Sequence, residues 1–249
     1  MKVSLITFSP TGGTLRCAKY IAEGIGEVCS IVDLSDRNKT FDITIGNDSL
    51  ALFAVPAYGG RIPTIAVDRL KQIRGNNTDA ALVAVNGNRE IDDTLIELYD
   101  IVSANGFKIK AAISAVAEHS LVRSYGNSRP DELDTAELIE FGNRIASSNT
   151  YLDSVPGKRP YKNFGGCPAR PITDKDKCVS CSLCFKKCPV GAISESDYSS
   201  VDNSKCIACM RCISICSKMA KSIDPAIEKN IDKMLSAVAQ GRKANELFI

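Results

Sequence analysis

Along residues 1–148 short apolar runs alternate with segments of helical period. "KVSLITF" (2–8) is a strand-sized run rich in β-branched residues that stops at Ser-Pro. Behind it Cys17, Ile21 and Ile25 recur every four residues beside Ala18 and Ala22, which predicts a helix. The same reading predicts strands at 28–34, 49–56, 79–86 and 107–117, and helices at 65–73, 92–106 and 131–147. The polar stretch 35–48 carries no clear helical pattern. Near-continuous apolar strands separated by helices imply a parallel sheet covered on both faces. Five strands in this length fit a doubly wound α/β domain with a five-stranded parallel sheet.

The pattern changes near residue 149. Residues 147–172 hold four prolines and three glycines without sustained periodicity, so a linker is expected at 149–171. Helical spacing returns over 224–243, where Ile227, Ile231, Met234, Leu235 and Val238 share a face. The expected layout is an α/β domain (1–148), the linker, a small α+β domain (172–224) and a C-terminal helix (225–249).

Composition narrows the function classes. The 249 residues carry a net charge of +2, which gives no electrostatic case for nucleic acid or an anionic membrane. Apolar runs are far too short to insert in a membrane, and the first residues lack a signal-peptide pattern, so a cytoplasmic protein is expected. Nine of the 11 cysteines fall between residues 167 and 216, a clustering that points to metal ligation rather than a disulfide scaffold.

Those cysteines form an internal repeat. Cys178, Cys181, Cys184 and Cys188 recur 28 residues later as Cys206, Cys209, Cys212 and Cys216, each run reading C-x-x-C-x-x-C-x-x-x-C. Three thiolates two residues apart can wrap one cluster face from a tight loop, while the fourth lies past a turn of helix. Eight thiolates in two runs exceed the four ligands of a structural zinc site. Cys17 and Cys29 are expected to be buried as small hydrophobes, and Cys167 to be incidental in the linker.

The segment 172–224 resembles the bacterial ferredoxins with two 4Fe–4S clusters. The resemblance implies that the fourth cysteine of each run serves the other cluster. One cluster would take Cys178, Cys181, Cys184 and Cys216, and the second Cys206, Cys209, Cys212 and Cys188. The family's proline after the fourth cysteine is present at Pro189 but replaced by Ser217 in the second run.

In the first domain "SPTGGT" (9–14) lies where the first strand turns into the first helix, a place suited to an anion. It fits neither the nucleotide-triphosphate nor the dinucleotide glycine motif. "VPAYGGRIP" (55–63) and "NGNREIDD" (86–93) follow the third and fourth strands and so share its rim. Together these segments resemble the flavodoxins, and the whole chain is similar to the flavodoxin–ferredoxin fusions of anaerobic bacteria and archaea. The resemblance implies FMN, with Ser9, Thr11, Gly12, Gly13 and Thr14 on the phosphate. Pro56, Tyr58, Gly59 and Gly60 would line the isoalloxazine, Tyr58 stacking on it. Asn86, Gly87, Asn88 and Arg89 would close the other side. Arg61 is a candidate partner for the ribityl chain or for an anionic flavin, or a solvated side chain, and His119 a candidate proton relay or a plain loop histidine. The fourth-strand loop lacks the second aromatic that many relatives place there.

The expected function is electron transfer between the clusters and FMN, to or from a ferredoxin-like or other redox protein, with a homodimer left open. The alternative is an FMN-dependent reductase acting directly on a quinone or nitro compound.

Overall fold

The computed structural model describes all residues 1–249. The five expected strands form as β1 (Lys2–Thr7), β2 (Glu27–Asp33), β4 (Leu50–Pro56), β6 (Thr78–Asn86) and β7 (Phe107–Val116). All four pairings among them are parallel. Their spatial order, β2-β1-β4-β6-β7, is the flavodoxin-like order 2-1-3-4-5. Helices α1 (Gly13–Ile25), α2 (Thr64–Leu70), α3 (Thr94–Ala104) and α4 (Glu132–Ser147) cover the sheet.

Period-two alternation along the strands sends successive side chains to opposite cores. Phe53 and Leu82 join Leu95 of α3 on one face. Leu52 and Val83 join Ile21 of α1 and Leu138 of α4 on the other. Glycines let α1 and α4 approach closely: a Cβ on Gly24 would fall 2.9 Å from the Gly142 Cα. At the start of α4 the Asp131 carboxylate accepts from the Asp134 N–H while Asp134 accepts from the Asp131 N–H, closing both ends of a capping box.

The stretch 35–48 forms no helix. It holds β3 (Ile43–Ile45), which pairs in parallel with β5 (Ile73–Gly75) as a separate two-stranded sheet. The helix expected at 65–73 therefore ends at Leu70. Without a covering helix on that side β2 is largely exposed, and Cys29 on it is exposed rather than buried as the sequence implied.

The expected linker is no free tether. From Thr150 to Ala169 the chain runs as a strap over α3. The Leu152 N–H donates to the Ile109 carbonyl at 2.8 Å, and the N–H groups of Lys158 and Lys162 donate to the Asp93 carboxylate at 2.9 and 2.7 Å.

Beyond the strap, β8 (Pro171–Thr173) pairs antiparallel with β9 (Lys221–Ile223), and two single-turn helices, α5 (Leu183–Lys186) and α6 (Arg211–Ser214), lie between them. The repeat extends to the backbone: Ser180 and Ala208 have φ of 52° and 54°, and Ser182 and Met210 of 62° and 59°. The C-terminal helix, α7 (Pro225–Leu235), is shorter than the spacing implied. The chain then turns at Gly241 (φ +69°) and adds β10 (Glu246–Phe248) antiparallel to β7, a sixth strand on the sheet edge. The side-chain amide of Asn88 donates to the carbonyls of Ala239 and Gly241, both at 2.7 Å, which fixes this turn by tertiary contact that local sequence cannot signal.

Candidate functional site

A cavity of about 480 Å³ opens at the carboxyl ends of the parallel strands. That volume lies within the range of small-molecule and cofactor sites. Thr11, Gly13 and Thr14 form one wall, Pro56, Tyr58 and Gly59 a second, and Asn86, Gly87 and Arg89 a third. Three loops remote in sequence thus meet on the rim where the sheet order reverses.

The phosphate-loop wall has the chemistry of an anion site. Gly12 (φ +95°) supplies the left-handed turn into α1, and nothing lies within 4 Å of where its Cβ would be. Ser9 caps the helix by accepting the Leu15 N–H at 2.9 Å. The N–H groups of Thr11, Gly12, Gly13 and Thr14 have no hydrogen-bond partner in the chain, which leaves four donors at the positive end of a helix.

The remaining expected residues divide by direction. Asn86 braces its loop: its carbonyl oxygen accepts the Arg89 N–H at 3.0 Å and its amide donates to the Ala115 carbonyl. Ser9, Gly12, Gly60, Arg61 and Asn88 do not line the cavity. Arg61 is turned outward, where its Nε and Nη2 donate to Glu97 at 2.9 and 2.7 Å and its Nη1 donates to the Lys162 carbonyl. The guanidinium also lies 4.8 Å over the Tyr161 ring, so it clamps the strap to α3. Gly60 faces Asp92, and Asn88 holds the C-terminal turn. Arg61 and Asn88 thus sit in the expected loops with their side chains bonded away from the cavity.

His119 stands in the cavity wall. Its Nδ1 accepts from the Leu121 and Val122 N–H groups at 3.3 and 3.1 Å, which puts the ring proton on Nε2. Burial, with a smaller push from Arg89, lowers its pKa to about 4, so the imidazole is neutral at neutral pH.

Much of the cavity comes from segments the sequence did not assign to it. The strap contributes Lys162, Asn163, Phe164, Gly166 and Cys167. The second cysteine loop contributes Ile207 and Ala208, and α7 contributes Ile231, Met234 and Leu235. Burial, then the Cys209 and Cys167 thiols, holds the Tyr58 hydroxyl well above the usual phenol range, as a neutral donor.

The eight repeat cysteines divide between two further cavities. One is lined by Cys188, Cys206, Cys209 and Cys212, the second by Cys178, Cys181, Cys184 and Cys216. Each fourth cysteine thus stands with the opposite run. Four thiols line each cavity, two sets of soft ligands of the kind that iron–sulfur clusters use. Burial pushes Cys209 and Cys212 up to about 12, so a metal bound there would have to displace their protons. The Ala192 N–H donates to Cys188 Sγ and the Ala220 N–H to Cys216 Sγ, both at 3.3 Å. Ser217 therefore leaves this N–H···S geometry equal in both halves.

The fold and these cavities define a flavodoxin-like α/β sheet followed by a small cysteine-lined segment. Residues 170–217 match the family described as "4Fe-4S dicluster domain". Among solved structures the chain is similar to oxidised flavodoxin 1 from Bacillus cereus (17% identity, TM-score 0.41, 58% of this chain and 97% of that one). It is also similar to a flavodoxin from the domain Archaea (14%, 0.39, 59% and 96%). A third likeness is to rubredoxin oxygen:oxidoreductase from Desulfovibrio gigas (15%, 0.42, 58% and 35%). The strand order, not these likenesses, defines the fold class. No curated protein matches the chain. No helix is long and apolar enough to cross a membrane.

Proposed function

We propose that this chain is an electron carrier that holds FMN in the 480 Å³ cavity and two 4Fe–4S clusters in the cysteine-lined cavities, exchanging electrons with a redox protein. One observation carries the reading. Ile207 and Ala208, between ligand candidates Cys206 and Cys209, stand in the same cavity wall as Tyr58. Flavin and iron–sulfur sites thus share a boundary of one loop within a single chain.

Clusters pass single electrons and a flavin holds one or two, so the pair converts between these currencies. Residues 1–148 serve as the flavin unit and 172–224 as the iron–sulfur unit. The free N–H groups of Thr11 to Thr14 take the phosphate, while Tyr58 and Gly59 lie along the ring and Asn86, Gly87 and Arg89 close the far side. Cys188, Cys206, Cys209 and Cys212 hold the cluster beside the flavin, and Cys178, Cys181, Cys184 and Cys216 hold the outer one. The strap and α7 add Phe164, Ile231, Met234 and Leu235 to the apolar part of the wall.

Anaerobic purification with iron, sulfide and flavin analysis tests the reading. About eight iron and one FMN per chain are expected, with the broad visible absorption of iron–sulfur centres. Zinc without iron would end the cluster assignment. Turnover of a small quinone at a rate independent of any protein partner would overturn the carrier role in favour of a reductase.

A further inference from the structure

The two halves of the iron–sulfur segment present equivalent faces, and only one of them is covered. In the second half Ile207 and Ala208 close the flavin cavity, Met210 is buried, and Arg211 Nη1 donates to the Ser35 hydroxyl at 2.6 Å. That face docks onto the α/β domain. The positions 28 residues earlier are Val179, Ser180, Ser182 and Leu183, held in the same left-handed turns. Val179 and Leu183 line the outer cysteine cavity beside Lys218 and are 59% and 39% exposed. Met219, the next residue, is 79% exposed. Nothing in the chain covers this face.

Charge says what would cover it. Lys175, Lys186, Lys187 and Lys218 are exposed and none has an ion-pair partner. Among the carboxylates of residues 174–187, Asp174 is paired with Lys177 at 2.9 Å and only Asp176 is free. The α5 lysines are not a feature of the repeat, since their counterparts are Ser214 and Ile215. Apolar residues at a redox site, ringed by unpaired cations, favour an anionic protein surface and repel a second copy of the same face.

We propose that the face centred on Val179 and Leu183 docks an acidic one-electron redox protein, and that electrons enter or leave the chain there. The proposal rests on the iron–sulfur reading of the preceding section. One electron passes per encounter, oxidising one protein by the amount that reduces the other, with no proton transferred.

The test is stopped-flow electron exchange between the intact holoprotein and two purified probes, an acidic two-cluster ferredoxin and a basic cytochrome, at low and high salt. The acidic probe should react faster at low salt and slow as salt rises. Lys186→Glu with Lys187→Glu should slow it about tenfold or more. Lys229→Glu with Lys233→Glu, an equal charge change on α7, should not. Iron content and flavin fluorescence of the variants serve as controls for folding. Equal slowing by both pairs, no slowing, or faster low-salt reaction with the basic probe would overturn the proposal. So would a wild-type dimer that the Lys186/Lys187 change dissociates, because the occupant would then be a second copy. Wild-type protein without iron would instead sink the reading on which the proposal rests.

Discussion

The ring of Phe164 lies against Gly59: a Cβ at that glycine would fall 3.0 Å from Phe164 Cγ and nearer still to the ring edge. Both residues line the large cavity, and Phe164 is 43% exposed there. The strap thus brings to the rim an aromatic that the fourth-strand loop lacks. Phe164→Ala should weaken FMN binding by about fivefold, corresponding to the loss of about 1 kcal/mol of aromatic contact. Fluorescence titration of the flavin reads the effect, and an unchanged affinity would place the ring outside the binding surface.

His119 gives a pH signature. Its pKa falls from 6.5 when solvated to about 4 in the fold, so the unfolded chain binds the extra proton between those values. Stability from this residue is complete above about pH 6.5 and is lost as pH falls toward 4. Because His119 is the sole histidine, NMR of histidine-labelled protein should show one imidazole that does not titrate between pH 7 and 5.5. In His119→Asn the dependence of unfolding free energy on pH over that interval should flatten.

The two inner and outer cysteine sites should fail differently. Cys216→Ala should cut iron from about eight to about four per chain and leave FMN bound. Cys188→Ala should also cost one cluster. Cys188 is buried in a small core with Ala192 and Ile193, and the loop of Cys206 and Cys209 walls the large cavity. This variant should therefore disturb flavin fluorescence as well. Equal flavin behaviour in the two variants would contradict the inner and outer placement.

Arg129 and Asp134 form a nearly inaccessible pair. Arg129 Nε donates to Asp134 Oδ2 at 2.8 Å, and Asn245 and the Asp131 N–H donate to the same carboxylate. Burial pushes this carboxyl up, but these donors outweigh it and leave its pKa lowered. Arg129→Ala leaves Asp134 with Arg242, 3.0 Å away, as its remaining cation and should cost about 3 kcal/mol in chemical denaturation. A depressed carboxylate stabilises above its unfolded value of 3.8 and loses that contribution as pH falls below it. Acid unfolding of Arg129→Ala should accordingly begin at higher pH than in the wild type.

The parallel strands were legible because a strand buried on both faces needs an unbroken apolar run, as in Leu50–Val55, and local sequence states that directly. The crossed cysteine sets were reached through the spacing and the ferredoxin resemblance, and the cavities divide the same way. Less was legible where tertiary contact decides. A three-residue strand such as Glu246–Phe248 carries no pattern of its own. The strap reads as a linker because its Pro and Gly content is real, while its order depends on distant acids, Asp93 and Asp100. Arg61 and Asn88 sit in the expected loops, but a loop sequence does not say which way its side chains turn.

The sixth strand has a mechanical consequence. The iron–sulfur segment leaves the sheet through the strap and returns to it through β10, so both of its ends are moored to one rigid body. A swinging arm needs a loose end, and this module has none. Electron exchange between the inner cluster and the flavin would then occur at a fixed separation, insensitive to solvent viscosity, and only the encounter with an outside protein would depend on diffusion.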